Sequence, residues 1–145
     1  MAFRIKPRES GPIPKPVRRR QKAHRTESAQ HLVFVRSLPC LASGMNGFSE
    51  AHHLTVARYR MGRRLGDDCA VPLHRDLHGD TRGPQALHAM GERNFWNQRG
   101  IDPRPIAQFL WDNTGDYDAC IDVIMGAIKA SHSLLAKGEK VFDVR

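Results

Sequence analysis

Histidine is concentrated in the middle of this 145-residue chain. Five of its eight histidines lie between positions 52 and 88, namely His52, His53, His74, His78 and His88. A neutral imidazole nitrogen is the commonest protein ligand of divalent transition metals, so a cluster of this kind indicates a metal site. The alternative is a set of ordinary surface histidines, because short His spacings also arise by chance.

The spacing of these histidines predicts which of their side chains point to the same side of the chain. Adjacent side chains of a β-strand point to opposite faces, so one of His52 and His53 can bind a metal while the other faces a substrate as a base. In a helix, His74 and His78 at positions i and i+4 share one face, a spacing that chelates a metal. The sequence therefore offers candidates for both metal ligation and general-base catalysis.

Cationic charge accompanies the histidines. The chain carries 23 Lys and Arg against 15 Asp and Glu, a net charge of +8 and a pI near 10.0. Because cations neutralise phosphates and displace their counterions, this charge beside a metal site indicates nucleic acid as the substrate. The arginines predicted to contact it are Arg18, Arg19 and Arg20 near the N-terminus, and Arg58, Arg60, Arg63 and Arg64 in a Gly-bounded loop. If the N-terminal arginines do not contact nucleic acid, they belong to a segment that only increases solubility. If the arginines of the loop do not contact it, that loop is simply exposed to solvent.

Length and composition limit the architecture to one compact domain of about 100 residues plus tails. Like-charged residues and four prolines predict a disordered basic arm over residues 1–26, followed by a central domain over residues 27–112 and a C-terminal helix and tail over residues 113–145. Three widely spaced cysteines do not suggest a disulfide framework. The sequence shows neither a signal-peptide pattern nor an apolar run near the roughly 20 residues of a membrane span. A cytoplasmic protein with no membrane partner is expected.

Apolar patterning and turn residues predict the elements around the histidines. A short helix is predicted from Glu27 or Ser28 to Pro39, with a strand as the alternative, because the apolar side chains there run together instead of repeating at helical spacing. Next come a strand over residues 48–56, a strand over residues 69–73, and a helix near Arg75 that is interrupted at residues 79–83. Further helices are predicted over residues 84–99, over residues 103–112 behind an Asp102 N-cap, and over residues 116–135 with an apolar stripe typical of a core contact or a dimer seam.

A longer pattern extends through residues 31–111. Its parts are Val33-Phe34-Val35-Arg36-Ser37-Leu38-Pro39-Cys40, Glu50-Ala51-His52-His53, Asp67-Asp68, Val71-Pro72-Leu73, His78, Leu87-His88-Ala89-Met90-Gly91-Glu92-Arg93-Asn94-Phe95-Trp96 and Gly100-Ile101-Asp102-Pro103. This combination resembles the HNH endonucleases, the ββα-metal superfamily, and within them a phage- and prophage-encoded branch related to the recombination-enhancing nuclease Ref. The resemblance covers a little over half of the chain.

The resemblance implies an α+β fold in which a small ββα-metal hairpin-plus-helix core carries flanking helices. His52 resembles a metal-ligand position, and His53 resembles the general base that activates water. The helix-borne ligands are either His78 with His88 or His74 with His78, and both registers stay open.

Two departures from the family pattern affect these expectations. Relatives commonly have Cys-x-x-Cys where this chain has Cys40-Leu41-Ala42-Ser43, so a structural zinc is not expected. The superfamily's middle asparagine has no clear match, and Asp68 is a candidate to orient His53 in its place.

The resemblance and the charge together predict a metal-dependent endonuclease that hydrolyses DNA phosphodiester bonds, derived from a phage or mobile element. Its cofactor would be a divalent ion, with Mg²⁺, Mn²⁺, Zn²⁺ and Ni²⁺ as the candidates. The principal alternative is a non-catalytic nucleic-acid-binding protein that retains the fold. A zinc-stabilised interaction module is a third possibility, which the incomplete cysteine set disfavours.

Overall fold

The computed structural model describes residues 26–56, 66–79 and 83–143. Within these residues the chain is α+β, as predicted, with helices around one two-stranded antiparallel sheet. The elements are α1 (Ala29–Ser37), β1 (Ser49–His53), β2 (Ala70–His74), α2 (Arg75–His78), α3 (Leu87–Met90), α4 (Glu92–Arg99), α5 (Pro103–Asp112) and α6 (Tyr117–Ala136). The basic arm before Thr26 and both groups of arginines predicted to contact nucleic acid lie outside the described residues, and the domain boundaries stay a prediction.

The segment before Pro39, predicted as a helix with a strand as the alternative, forms helix α1 over Ala29–Ser37. The Ser28 side chain caps this helix by accepting a hydrogen bond from the His31 amide at 3.2 Å. His31 and Val35, at positions i and i+4, are buried, whereas Val33 is 64% exposed. The cap satisfies an amide that the start of a helix leaves unpaired, and this local contact favours the helix over the strand.

β1 and β2 form the predicted antiparallel hairpin, and α2 follows it directly. His52 pairs with Val71 and His53 pairs with Ala70. Beyond β1, the Leu54 amide donates to the Cys69 carbonyl at 2.9 Å and extends the ladder. β2 is buried along its whole length, with α1 and α5 packed against it.

The helix predicted over residues 84–99 is wrong as a single element, because the chain forms two helices there. Gly91 separates α3 from α4 with φ 85° and ψ 142°, a conformation that side chains with a Cβ rarely adopt. Glycine inside a helix costs only about 1 kcal/mol relative to alanine, so the sequence alone does not require this break. The break leaves His88 on α3 and makes Glu92 the first residue of α4, where a negative charge favours the helix N-terminus.

One hydrophobic core joins the hairpin to the later helices. Phe95 and Trp96 of α4 are fully buried and share this core with Leu73 of β2, Leu110 of α5 and Ile124 of α6. Burial of each large apolar side chain contributes roughly 1.5–3 kcal/mol to folding. The core therefore fixes β1 and β2 relative to α4, and with them the positions of the histidines.

The C-terminal helix α6 follows the predicted bounds closely, with Asp116 as its N-cap. Of its predicted apolar stripe, Ile124 is buried whereas Tyr117 and Leu135 are exposed. By length and composition alone, α6 is long and apolar enough to cross a membrane. It has 20 residues, and its most apolar stretch has a mean hydropathy of 1.4 and is 17% buried. The expectation that the protein is not integral to a membrane therefore stays a prediction.

Candidate metal centre

β1 sends its two adjacent histidines to opposite faces, as the sequence predicts. The side chain of His52 is only 4% exposed and contacts residues of α2, α3 and α4. The side chain of His53 is 30% exposed and contacts the turn that precedes β2. The two faces therefore give one type of side chain two different environments.

A group of three histidines able to hold a metal ion occurs within the described residues. It consists of His52 on β1, His78 at the end of α2 and His88 on α3, and their ligand nitrogens lie within 4.8 Å of one another. The Nδ1 atom of His52 is 3.1 Å from the Nε2 atom of His78. Two nitrogens bound tetrahedrally to one zinc at about 2.0–2.1 Å are about 3.3 Å apart, so this pair has nearly the spacing that a bound ion needs.

Carboxylates hold the outer nitrogens of two of these rings. Glu92 accepts from Nε2 of His52 at 2.8 Å, and Glu50 accepts from Nδ1 of His78 at 2.6 Å. Because an ionised carboxylate only accepts, each ring carries a proton on its outer nitrogen and turns its inner nitrogen toward the other ring. A cation between the two inner lone pairs, a proton or a metal ion, relieves their repulsion. Imidazole donors suit Zn²⁺ or Ni²⁺ better than Mg²⁺, which prefers oxygen.

Glu92 is buried, and both of its carboxylate oxygens are engaged. Oε2 accepts from the amides of Thr55 and Val56 at 2.8 and 2.9 Å, and from the Thr55 hydroxyl. Burial acts to raise the pKa of Glu92, but the hydrogen bonds from His52 and Thr55 outweigh it and leave the pKa below its ordinary value. Burial lowers the pKa of His52, against the opposing effect of Glu92. At neutral pH the pair is thus a neutral imidazole beside an ionised carboxylate, the protonation state that metal binding requires.

His74 lies apart from this group, so the structure brings His78 together with His88 and not with His74. The sequence placed His74 and His78 on one helical face, but His74 is the last residue of β2, and α2 begins only at Arg75. The His74 side chain instead caps α2, where its Nδ1 accepts from the Asp76 amide at 3.2 Å. This side chain is buried and serves the turn from strand to helix.

On the other face of β1, an aspartate orients His53. The Oδ1 atom of Asp67 accepts from Nε2 of His53 at 2.8 Å, and Oδ2 accepts from the Ser28 amide at 2.8 Å. The Asp67 amide donates to the Thr26 carbonyl at 2.8 Å, which fixes this residue beside the strand. The prediction that Asp68 orients His53 is therefore wrong by one position. Because Nε2 of His53 donates a hydrogen bond to Asp67, Nδ1 is the nitrogen of this ring that can accept a proton.

Neither Glu92 nor Asp67 was among the site residues predicted from the sequence. Each directly follows a glycine and begins a helical turn, in the pairs Gly91-Glu92 and Gly66-Asp67. That shared pattern is a weak signal, because acidic residues are common in first turns for reasons of helix electrostatics alone.

No protein-family model, curated protein or solved structure matches this chain. The resemblance to HNH endonucleases therefore stays a prediction, and the function has to be argued from the chemistry of the site.

Proposed function

We propose that this protein is a metal-dependent endonuclease of the HNH type, which hydrolyses DNA phosphodiester bonds at a ββα-metal site made by β1, β2 and α2, with His88 of α3 as a further ligand. One observation carries the proposal. Two adjacent residues of β1 occupy complementary environments: His52 is buried against His78 and His88, and His53 is partly exposed and oriented by Asp67. Metal-assisted hydrolysis uses both a metal ligand and a general base, and these two neighbouring residues offer one candidate for each.

Each residue of the site has a defined part in this reaction. His52, His78 and His88 hold the divalent ion, which supplies electrostatic stabilisation of the charge developing on the phosphate. His53 keeps its Nε2 proton in a hydrogen bond to Asp67, and its Nδ1 takes a proton from the attacking water. The 30% exposure of the His53 side chain gives water access to the ring.

The charge distribution of the chain supports DNA as the substrate. The described residues carry eight Lys and Arg against 13 Asp and Glu. Nine Lys and Arg lie in residues 1–25 and four more in residues 57–65, so the positive charge is concentrated in these two segments. Basic segments of this kind bind a polyanion by releasing its counterions.

Nicking of supercoiled plasmid DNA tests the proposed activity. We expect the full-length protein to nick the plasmid with Zn²⁺, Ni²⁺ or Mn²⁺ present, and to lose this activity when a chelator is added. A His53→Ala variant serves as the control for a contaminating nuclease, because it removes the proposed base and keeps the three metal-binding histidines. Metal-dependent nicking that is equal in the wild type and in this variant would contradict the proposal.

The second candidate function, non-catalytic binding of nucleic acid, predicts a different result. In that case DNA binding persists and no metal restores nicking. Three departures from the family pattern favour this alternative: the middle asparagine has no match, Ser43 stands in place of a cysteine, and the chain carries about six extra residues within residues 79–85.

Truncation of the arm tests the assignment of DNA as the partner. Deleting residues 1–25 removes nine Lys and Arg and keeps Thr26, whose carbonyl holds the Asp67 amide. We expect weaker DNA binding and a flatter dependence on salt, by about 0.9 in slope for each phosphate that the arm neutralises. Metal affinity should not change. An unaltered salt slope would show that the arm does not touch phosphate.

A further inference from the structure

Four hydrogen bonds constrain the carboxylate of Glu92 beside the histidine group. It is 40 residues from His52 in sequence, yet its Oε1 atom accepts from the Nε2 atom of that ring at 2.8 Å. Its Oε2 atom accepts hydrogen bonds from the Thr55 and Val56 amides and from the Thr55 hydroxyl. Because several donors converge on Oε2, the carboxylate cannot rotate without breaking them, and Oε1 stays directed at His52.

This contact decides which nitrogen of His52 carries its proton. The carboxylate accepts and cannot donate, so Nε2 is protonated and Nδ1 holds the lone pair. Nδ1 is the atom that lies 3.1 Å from Nε2 of His78, inside the group of three histidines. The orientation of Glu92 therefore presents the lone pair of His52 where an ion would bind.

We infer that Glu92 is the positioning residue of the metal centre. It fixes the tautomer of His52 and links that ring to the backbone of Thr55 and Val56, which follow β1. The inference rests on the proposed metal site and adds a residue that does not contact the ion. Carboxylates that hold a ligating histidine in this way typically contribute about 10- to 100-fold to metal affinity.

Replacing Glu92 by glutamine isolates this role, because the new side chain has nearly the same shape. The donors of Thr55 and Val56 require an acceptor, so the glutamine carbonyl takes the place of Oε2. The NH₂ group then faces Nε2 of His52 and can only donate to it. His52 must move its proton to Nδ1, which removes the lone pair that faces His78.

Glu50 provides a matched control on the same site. It holds His78 through one hydrogen bond of 2.6 Å, but its side chain is 51% exposed. A glutamine at position 50 can therefore rotate and present its carbonyl to Nδ1 of His78. We expect Glu50→Gln to weaken Zn²⁺ binding much less than Glu92→Gln does.

The experiment measures two properties of the full-length wild type, Glu92→Gln and Glu50→Gln. ¹⁵N NMR of the imidazole rings reads the tautomer of His52 in the metal-free proteins, above the ordinary histidine pKa of about 6.5. Calorimetric titration with Zn²⁺ reads affinity. We expect the proton on Nε2 in the wild type and on Nδ1 in Glu92→Gln, with Zn²⁺ affinity about 10- to 100-fold lower in that variant. The thermal midpoint of the metal-free variant should match that of the wild type.

The outcomes separate this inference from the proposed function. An unchanged tautomer in Glu92→Gln, or Zn²⁺ affinity equal to the wild type, overturns the role of Glu92 while the metal site stands. A wild type that binds no Zn²⁺ overturns the metal site, and the tautomer measurement still reports whether Glu92 controls His52. A metal-free Glu92→Gln protein with a much lower melting midpoint assigns Glu92 a structural role, and that too overturns the inference.

Discussion

The two faces of β1 hold the same side chain in two surroundings. On the buried face, His52 is 4% exposed, its Nε2 atom is held by Glu92, and two further imidazoles surround it. On the other face, His53 is 30% exposed and its Nε2 atom is held by Asp67. Each ring therefore carries its proton on the same atom, and the difference lies in what surrounds the remaining nitrogen.

This difference separates two kinds of chemistry. A nitrogen that faces other imidazoles suits metal ligation, because several lone pairs converge there. A nitrogen on a ring that solvent reaches suits proton transfer, because water is available to it. A carboxylate partner is common to both faces, so the role that we propose for each histidine follows from its other neighbours.

Alanine substitutions of the two histidines should give the largest effects. His53→Ala should lower the rate of plasmid nicking by about 10²- to 10⁴-fold, the usual contribution of a general base, without lowering Zn²⁺ affinity. His52→Ala should abolish nicking and also weaken Zn²⁺ binding, because it removes a ligand. Nicking rates and calorimetry on both variants test this. The comparison breaks down if His53→Ala loses Zn²⁺ affinity as severely as His52→Ala.

An isosteric change at Asp67 should act on the exposed face alone. In Asp67→Asn, the Ser28 amide needs the carbonyl oxygen, so the NH₂ group faces Nε2 of His53 and its proton moves to Nδ1. We expect nicking to fall by about 10- to 100-fold, less than in His53→Ala because the ring remains. Zn²⁺ affinity should stay at the wild-type value, in contrast to Glu92→Gln. Equal losses of metal binding in these two amide variants would mean that the faces are not independent.

The comparison of His88 with His74 tests which of the two histidines binds the metal together with His52 and His78. His88→Ala should reduce Zn²⁺ affinity by about tenfold or more, because it removes the third nitrogen of the group. His74→Ala should leave Zn²⁺ affinity intact and cost about 0.5–2 kcal/mol of stability, because it removes the cap of α2. Calorimetry and urea denaturation measure the two quantities. If Zn²⁺ binding is weaker in His74→Ala and unchanged in His88→Ala, the ligands are His74 and His78 instead of His78 and His88.

A third buried histidine extends the comparison to a ring that has no carboxylate partner. His31 is 1% exposed, its Nδ1 atom is 2.7 Å from the Thr114 hydroxyl, and its Nε2 atom has no hydrogen-bond partner among the described residues. Burial lowers the pKa of His31, although the charges of Asp67 and Asp68 act in the opposite direction. The unfolded chain therefore gains a proton at a higher pH than the folded chain does. Stability should fall as the pH drops below about 6.5.

The variant His31→Gln tests this smallest effect. It should cost about 0.5–1.5 kcal/mol at neutral pH, the value of one hydrogen bond, and should flatten the loss of stability at lower pH. His132→Gln is the matched control, because His132 lies exposed on α6. Urea denaturation across this pH range measures both variants. An identical pH dependence in His31→Gln and the wild type would exclude His31 as the titrating group.

Local sequence signals predicted much of the fold. Asp102 before Pro103 marks the start of α5 because a side-chain cap and a fixed proline φ act within one turn. The apolar segments around Ser49–His53 and Ala70–His74 predicted the hairpin, and strand geometry then placed His52 and His53 on opposite faces. These features depend on neighbours a few residues apart, so they can be read from the chain itself.

The break at Gly91 and the choice between His74 and His88 could not be predicted in the same way. Both depend on where α3 and α4 pack, and the core around Phe95 and Trp96 sets that packing. A helix through Gly91 was locally acceptable, and an i, i+4 pair of histidines was locally plausible. The tertiary contacts overrode both local patterns.

The sequence by itself determined the chemical groups and the strand that separates them: five clustered histidines, two of them adjacent on β1. Only the tertiary structure decided that His88 joins His52 and His78, and that Glu92 and Asp67 hold the two adjacent rings. The physical reason is the range of the interactions. A strand fixes the direction of its side chains through local backbone geometry, whereas the partner of each imidazole is brought to it by packing of residues distant in the chain.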